Sequence, residues 1–290
     1  MLLEIAKNIG FCNGVQRSVD IAKFERAKSI CDIYTFGPLV HNEIVLNDLE
    51  NLGIHIVDQT SNVQNSCTLI IRAHGIGKFT YAELLLKNIK LVDATCPLVK
   101  KIHNIVQIQS QKGRKIIIFG DKNHPEVIGI VQWCKDKGIV VESLDEMLCI
   151  SEITRSTPLC LVSQTTCDIE KFENFKSKMS LYYQNSIVFD TVCNATRNRQ
   201  KEADELSSLC DAMLIIGGHN SSNTNKLVNI CQNNCKLVYR ISDLKKVDWL
   251  ISELKANQVE RLGVISGAST SLEFVNKIIS KFYITASKKV

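Results

Sequence analysis

Proline is scarce in this 290-residue chain, with four in all, and aromatic residues reach only 6%. So few prolines, with no low-complexity stretch beside them, exclude a proline-rich spacer. The sparse aromatics are nowhere interleaved with clustered Lys and Arg, and 35 basic against 30 acidic residues leave a net charge of only +5. A nucleic-acid partner needs a concentrated basic patch, so none is expected. A small anionic substrate suits this charge better. Long apolar runs are also missing, since none nears the roughly 20 residues of a membrane helix. Glu4 interrupts the apolar start Met1–Lys7, which lacks a signal-peptide layout. The expectation is a cytoplasmic protein with no membrane partner.

Cysteine, by contrast, is abundant, with twelve. In a reducing compartment these are thiols rather than disulfides, which opens metal binding or catalysis. Nine of the twelve read as small buried hydrophobes, among them Cys231 and Cys235, a helically spaced pair with no matching partners. The other three, Cys12, Cys96 and Cys193, belong to a repeat.

Apolar runs at 69–71, 115–119, 159–162, 212–216 and 262–265 read as buried strands. Amphipathic stretches lie between them, such as Leu98, Ile102, Ile105 and Val106 on one helical face. The alternation implies βαβ units and parallel sheets. Three segments repeat: Gly10-Phe11-Cys12-Asn13-Gly14-Val15, Val92-Asp93-Ala94-Thr95-Cys96-Pro97 and Phe189-Asp190-Thr191-Val192-Cys193-Asn194. In each, an apolar run ends, a cysteine follows, and an amphipathic segment begins. His41, His124 and Ser221 then follow their cysteines by 28 or 29 residues. A second polar strand end completes each third, in Ala73-His74-Gly75, Gln164-Thr165-Thr166 and Gly267-Ala268-Ser269. The expected architecture is α/β, with three similar domains (1–95, 96–192 and 193–290) of small, mostly parallel sheets. Packed as a pseudo-threefold trefoil, they would point nine strand-end groups into a central cleft.

Pro97 suits a first helical position, which makes Cys96 the expected cap. Free N–H groups and the dipole at a helix start favour a thiolate, the form that ligates metal. Three such ligands without a fourth suggest a centre with one open position, either an iron–sulfur cluster or zinc. The local C-x₂₋₄-C pairing usual for zinc is absent around these three. His41, His74, His124, Thr165, Ser221, Ser222, Asn223 and Ser269 are hydrogen-bond donors suited to phosphate. Some stand beside glycines that would let backbone approach a ligand, as in Gly217-Gly218. His55 and His103 lie outside the repeat and read as structural. Glu126, two residues after His124, reads equally as a proton donor or as an ordinary acid at a helix N-terminus.

At these residues the chain resembles the 4-hydroxy-3-methylbut-2-enyl diphosphate reductases, the last enzymes of the methylerythritol phosphate route to isoprenoids. The shared motifs are G-F-C-x-G-V, V-H-N, A-H-G, D-A-T-C-P-L-V, H-P-E-V, Q-T-T, C-N-A-T-R-N-R-Q, N-S-S-N and G-A-S, spread over nearly the whole chain. The resemblance implies a [4Fe–4S] cluster on Cys12, Cys96 and Cys193, whose fourth iron takes the substrate hydroxyl. It implies that His41, His74, His124, Ser221, Ser222, Asn223 and Ser269 hold the diphosphate, that Thr165 meets the hydroxyl end, and that Glu126 delivers a proton. The implied reaction consumes two electrons and two protons, loses water, and gives isopentenyl and dimethylallyl diphosphate. A ferredoxin or flavodoxin is the implied electron donor. Two departures stand out: Asn8-Ile9 before Gly-Phe-Cys, and His219 where a Lys commonly precedes Asn-Ser-Ser-Asn. The latter would make phosphate affinity pH-dependent. No appended domain is expected after the last motif. Two other classes fit the same residues, a zinc hydrolase of phosphorylated metabolites and a non-catalytic iron–sulfur sensor.

Overall fold

A computed structural model of the chain describes residues 1–135 and 138–287. Among these described residues every strand pairs in parallel, in three four-stranded sheets. The first holds β2 (Ile33–Phe36), β3 (Ile54–Val57), β4 (Thr68–Ile71) and β5 (Lys90–Asp93), in the order β3-β2-β4-β5. The second holds β6 (Lys115–Phe119), β7 (Ile139–Val141), β8 (Leu159–Ser163) and β9 (Ser186–Val188), in the order β7-β6-β8-β9. The third holds β10 (Ala212–Ile216), β11 (Leu237–Ile241), β12 (Arg261–Ser266) and β1 (Leu2–Ile5), in the order β11-β10-β12-β1. The expected α/β class with small parallel sheets is what the chain adopts.

One order serves all three sheets, because β1 fills in the third the edge place that β5 and β9 fill in theirs. It pairs with β12 in the register Leu2↔Arg261 to Ile5↔Val264. The repeat thus begins one strand late, and the first strand of the chain completes the last sheet. The chain forms two compact units, Met1–Val15 with His41–Asn47 and Asn194–Val290, and Gln16–Val40 with Asp48–Cys193.

The apolar strand runs follow from burial on both faces. Ile117, Phe119, Leu159 and Leu161 enter one core with Phe172 and Phe175, while Ile116, Ile118, Cys160 and Val162 enter another with Ile102, Val106 and Ile130. In the third sheet Leu214 and Ile216 face one core, and Met213 and Ile215 the opposite one. The helix Pro97–Gln111 has Pro97 at its start and Cys96 as its cap, as expected. Its buried face begins at Val99 and runs through Ile102, His103, Val106 and Ser110. Leu98, read as part of that face, is 44% exposed. Position 98 lies in the first turn, at the flank of the buried stripe, and half-buried Ile105 lies at that flank too. Among the described residues no helix is long and apolar enough to cross a membrane.

Candidate active site

In each sheet the outer strand β5, β9 or β1 runs into a cysteine that immediately precedes a helix, Pro97–Gln111, Asn194–Leu209 or Asn13–Lys28. Each cysteine amide also donates to a strand-end carbonyl of its own sheet. Cys96 N–H bonds Ala73 O at 3.0 Å, Cys193 N–H bonds Thr165 O at 3.1 Å, and Cys12 N–H bonds Ala268 O at 3.0 Å. Each acceptor stands two residues beyond the end of β4, β8 or β12. The three thiols therefore hold the same topological place, and all three are half-buried.

The other nine divide. Six are buried, and burial pushes the Cys160 and Cys231 thiols up to about 12, away from the ligating form. Cys31 and Cys149, also read as buried, are exposed. Cys31 lies in the loop after the helix Asn13–Lys28, and Cys149 ends the short helix Leu144–Leu148, so neither belongs to a periodic core face. Cys134 is intermediate. A centre needing several sulfur donors in equivalent, accessible places fits Cys12, Cys96 and Cys193.

His124, Glu126 and Thr165 follow the two central strands of the second sheet, where the winding reverses and α/β proteins place ligands. His124 caps the helix Pro125–Trp133, its Nδ1 accepting the Glu126 N–H at 3.2 Å, which leaves Nε2 as the N–H of the neutral ring. The His74 ring meets the His124 ring edge-on, 5.4 Å between centres. Glu126 is 2% exposed. The Thr165 N–H donates to its Oε1 at 2.6 Å and the Thr165 hydroxyl to its Oε2 at 2.7 Å. Burial raises the Glu126 pKa, the Thr165 bonds lower it in part, and the outcome is about 7. A carboxyl group so placed exchanges a proton near neutrality, through a hydroxyl that can pass it on.

The third sheet presents hydroxyls and an amide at the corresponding places. Ser221 caps the helix Ser222–Asn234, its Oγ accepting the Thr224 N–H at 3.3 Å. Ser222 opens that helix, half-buried. Asn223 is buried, and neither its Oδ1 nor its Nδ2 has a partner among the described residues. A buried amide with both ends unbonded is costly unless a ligand completes it. Ser269 donates to His41 O at 3.2 Å. The protein's own chain also approaches Gly217-Gly218. A Cβ on Gly217 would lie 2.6 Å from Thr224 Oγ1, so this glycine makes room for the Thr224 side chain, whereas one on Gly218 would meet His41 O at an ordinary 3.4 Å.

Several site residues escaped the sequence reading because their role is to grip a cysteine loop from far away. Arg17 donates to Thr95 O at 3.2 Å and Ser18 to Ala94 O at 2.8 Å, steadying the approach to Cys96. Buried Arg199 donates to Gly10 O at 2.8 Å, and Ser266 accepts the Gly10 N–H at 2.8 Å. Gly10 itself has φ +82°, and a Cβ there would lie 3.2 Å from Leu272 Cβ, which explains glycine in Gly-Phe-Cys. Asp93 accepts the Thr95 N–H and pairs with Lys100 at 2.6 Å. Burial pushes its pKa up, and these bonds more than reverse that. The histidines outside the repeat behave as structural residues. His55 pairs with Glu50 on the surface, and buried His103 stacks on Trp133 with its pKa pushed down to about 4 by burial.

Residues 3–283 match the family model described as LytB protein. A protein of Caldanaerobacter subterraneus subsp. tengcongensis named 4-hydroxy-3-methylbut-2-enyl diphosphate reductase is 39% identical over 284 residues, covering 97% of this chain and 96% of that one. A protein of the same name from Clostridioides difficile is 39% identical over 280 residues, covering 97% and 98%. Among solved structures, the E-1-hydroxy-2-methyl-but-2-enyl-4-diphosphate reductase from Plasmodium falciparum is similar at TM-score 0.90 and 29% identity, covering 96% of this chain and 87% of that one. A second structure, of (E)-4-hydroxy-3-methyl-but-2-enyl diphosphate reductase, is similar at TM-score 0.72 and 36% identity, covering 98% and 99%.

Proposed function

The chain belongs to the LytB family, and from that premise we propose that it is an iron–sulfur oxidoreductase removing the hydroxyl of (E)-4-hydroxy-3-methylbut-2-enyl diphosphate. Two electrons and two protons enter, water leaves, and isopentenyl and dimethylallyl diphosphate are the products. The observation that carries this reading is Glu126, buried, bonded twice by Thr165 and poised to titrate at about 7. A reaction that expels hydroxide as water needs such a donor.

Cys12, Cys96 and Cys193 would hold a [4Fe–4S] cluster, which when bound supplies electrons and a Lewis-acidic iron with an open position. Their equivalent places and half-burial support that assignment. The Thr165 hydroxyl meets the leaving oxygen and receives the Glu126 proton as it gives up its own. His124 offers Nε2–H to the diphosphate, and His74 shares that task. Ser221, Ser222, Asn223, Ser269 and His41 are the remaining donors assigned to the diphosphate. Clamping the diphosphate fixes the allylic end in orientation, which lowers the barrier entropically. The same reading keeps the threefold division at 1–95, 96–192 and 193–290, with β1 lent to the last sheet. A ferredoxin or flavodoxin in the cytoplasm would supply the electrons.

Anaerobic purification with iron, zinc and sulfide analysis, followed by a reductant-driven assay on the allylic diphosphate, tests the proposal. The expected result is a coloured protein with about four irons and four sulfides per chain, as a [4Fe–4S] cluster requires, and turnover to both products. Zinc without sulfide, or a cluster without turnover, would overturn it. Replacing Cys96 by Ser should strip most iron and sulfide, whereas Cys231→Ser should leave both.

A further inference from the structure

The loop from β10 into the helix Ser222–Asn234 carries Ser221, Ser222 and Asn223, and a ring of hydrogen bonds closes around it. Arg240 stands one residue before the end of β11, beside Ile215 of β10, so it emerges at the edge where this loop begins. Its Nη1 donates to Asn225 Oδ1 at 2.6 Å, and its Nη2 donates to His219 Nδ1. Asn225 Nδ2 in turn donates to His219 O at 3.1 Å, which completes the ring. His219 precedes the Ser221–Asn223 triplet and Asn225 follows it, so the ring joins both sides of the triplet to a neighbouring strand.

The chemistry of the ring is specific. Two acceptors in different directions call for the planar fork of a guanidinium, because an ammonium is a point donor without fixed geometry. A guanidinium has no acceptor, so the nitrogen of His219 that it meets must carry the lone pair. His219 thereby turns its Nδ1 toward Arg240. The triplet inside the ring holds the Ser221 cap and the unpartnered amide of buried Asn223. Such a loop binds well only if its shape is set before the ligand arrives.

We propose that Arg240 is a positioning residue for diphosphate binding, stapling His219 to Asn225 so that Ser221, Ser222 and Asn223 are preorganised. The proposal rests on the diphosphate reading of this loop given above. It adds Arg240 and Asn225, neither of which lies in the repeat, and gives His219 a part in holding the loop.

The test uses the holoenzyme and its Arg240→Gln and Arg240→Lys variants, with KM and kcat for the allylic diphosphate and competitive inhibition by inorganic pyrophosphate. Arg240→Gln should raise KM and the pyrophosphate inhibition constant about tenfold, with kcat and iron content kept, as for a lost preorganising contact. Arg240→Lys keeps the charge but loses the fork, and it should share the defect. Asn225→Ala should reproduce it, and the double variant should be no worse than either single one. Full rescue by lysine would show that charge alone matters and overturn the staple, as would unchanged KM or a loss confined to kcat. Failure of the parent enzyme to turn over the diphosphate would overturn the underlying reading instead. Parent turnover with indifferent variants sinks only the role of Arg240.

Discussion

Glu126 and Asn223 occupy the same slot in two different sheets. Each is seven residues beyond the end of its strand, β6 or β10, and second in the helix that follows. Each follows a side-chain cap, His124 or Ser221, and each is buried. Yet Glu126 receives two bonds from Thr165, while the Asn223 amide receives none from the described residues. The backbone supplies one geometry, and the side chain in it decides between storing a proton and waiting for a ligand. The counterpart in the first sheet, Glu43, is exposed and does neither. Leaving a buried amide unbonded costs about 1–3 kcal/mol of stability. Glu126 also costs stability wherever its carboxylate is charged.

The sharpest way to break this comparison is Glu126→Gln, which keeps the shape and removes the titrating proton. Turnover should fall by about 10²–10⁴-fold, the usual worth of a positioned acid. Iron, sulfide and substrate affinity should be retained. A variant within a few-fold of the parent would remove Glu126 from the chemistry.

Next in size is the pH response. With Glu126 titrating at about 7, its donor form is complete well below that value. The rate of the proton-dependent step should then decline by about tenfold per pH unit above it. The residual rate of Glu126→Gln should be flat across the same range. Folding stability carries the same signature. The pKa is raised above its ordinary 4.5, so this group's contribution is whole below 4.5 and is lost as pH rises to about 7. Urea denaturation of parent and Glu126→Gln between pH 4 and 8 checks the sign, and a parent that gains stability relative to the variant over that range would contradict it.

Asn223→Ala should act on binding alone, raising KM about tenfold with kcat nearly unchanged, as expected when a uniform binding contact is lost. The ligand-free variant should melt no lower than the parent, since no internal bond is broken. A lowered melting temperature would mean that the amide is structural. The smallest effect belongs to Leu98→Ala, within about 0.5 kcal/mol for an exposed side chain. Ile102→Ala, one turn further along the same helix, should cost about 2–5 kcal/mol. Denaturation midpoints of the two distinguish the buried face from the exposed start beside Cys96.

Much of the site was legible because its signals are local. Five strand runs, the cap at Cys96, and the common spacing of His41, His124 and Ser221 all reflect short-range periodicity and helix-start chemistry. Leu98 differs because it sits at the flank of the buried stripe, in the first turn of its helix. The buried reading of Cys31 and Cys149 failed because residue type alone does not report which side of a loop faces water.

By itself the sequence determined which elements form, where each cysteine and polar strand end falls along them, and which loops repeat, since backbone preference and burial act over a few residues. Only the tertiary structure decided that β1 completes the sheet of β12, that Thr165 grips Glu126, and that Arg199 and Arg240 hold loops many residues away. A hydrogen bond depends on ångström distances between groups far apart in the chain, and a hydrophobic pattern records only that a residue is buried, not whom it meets.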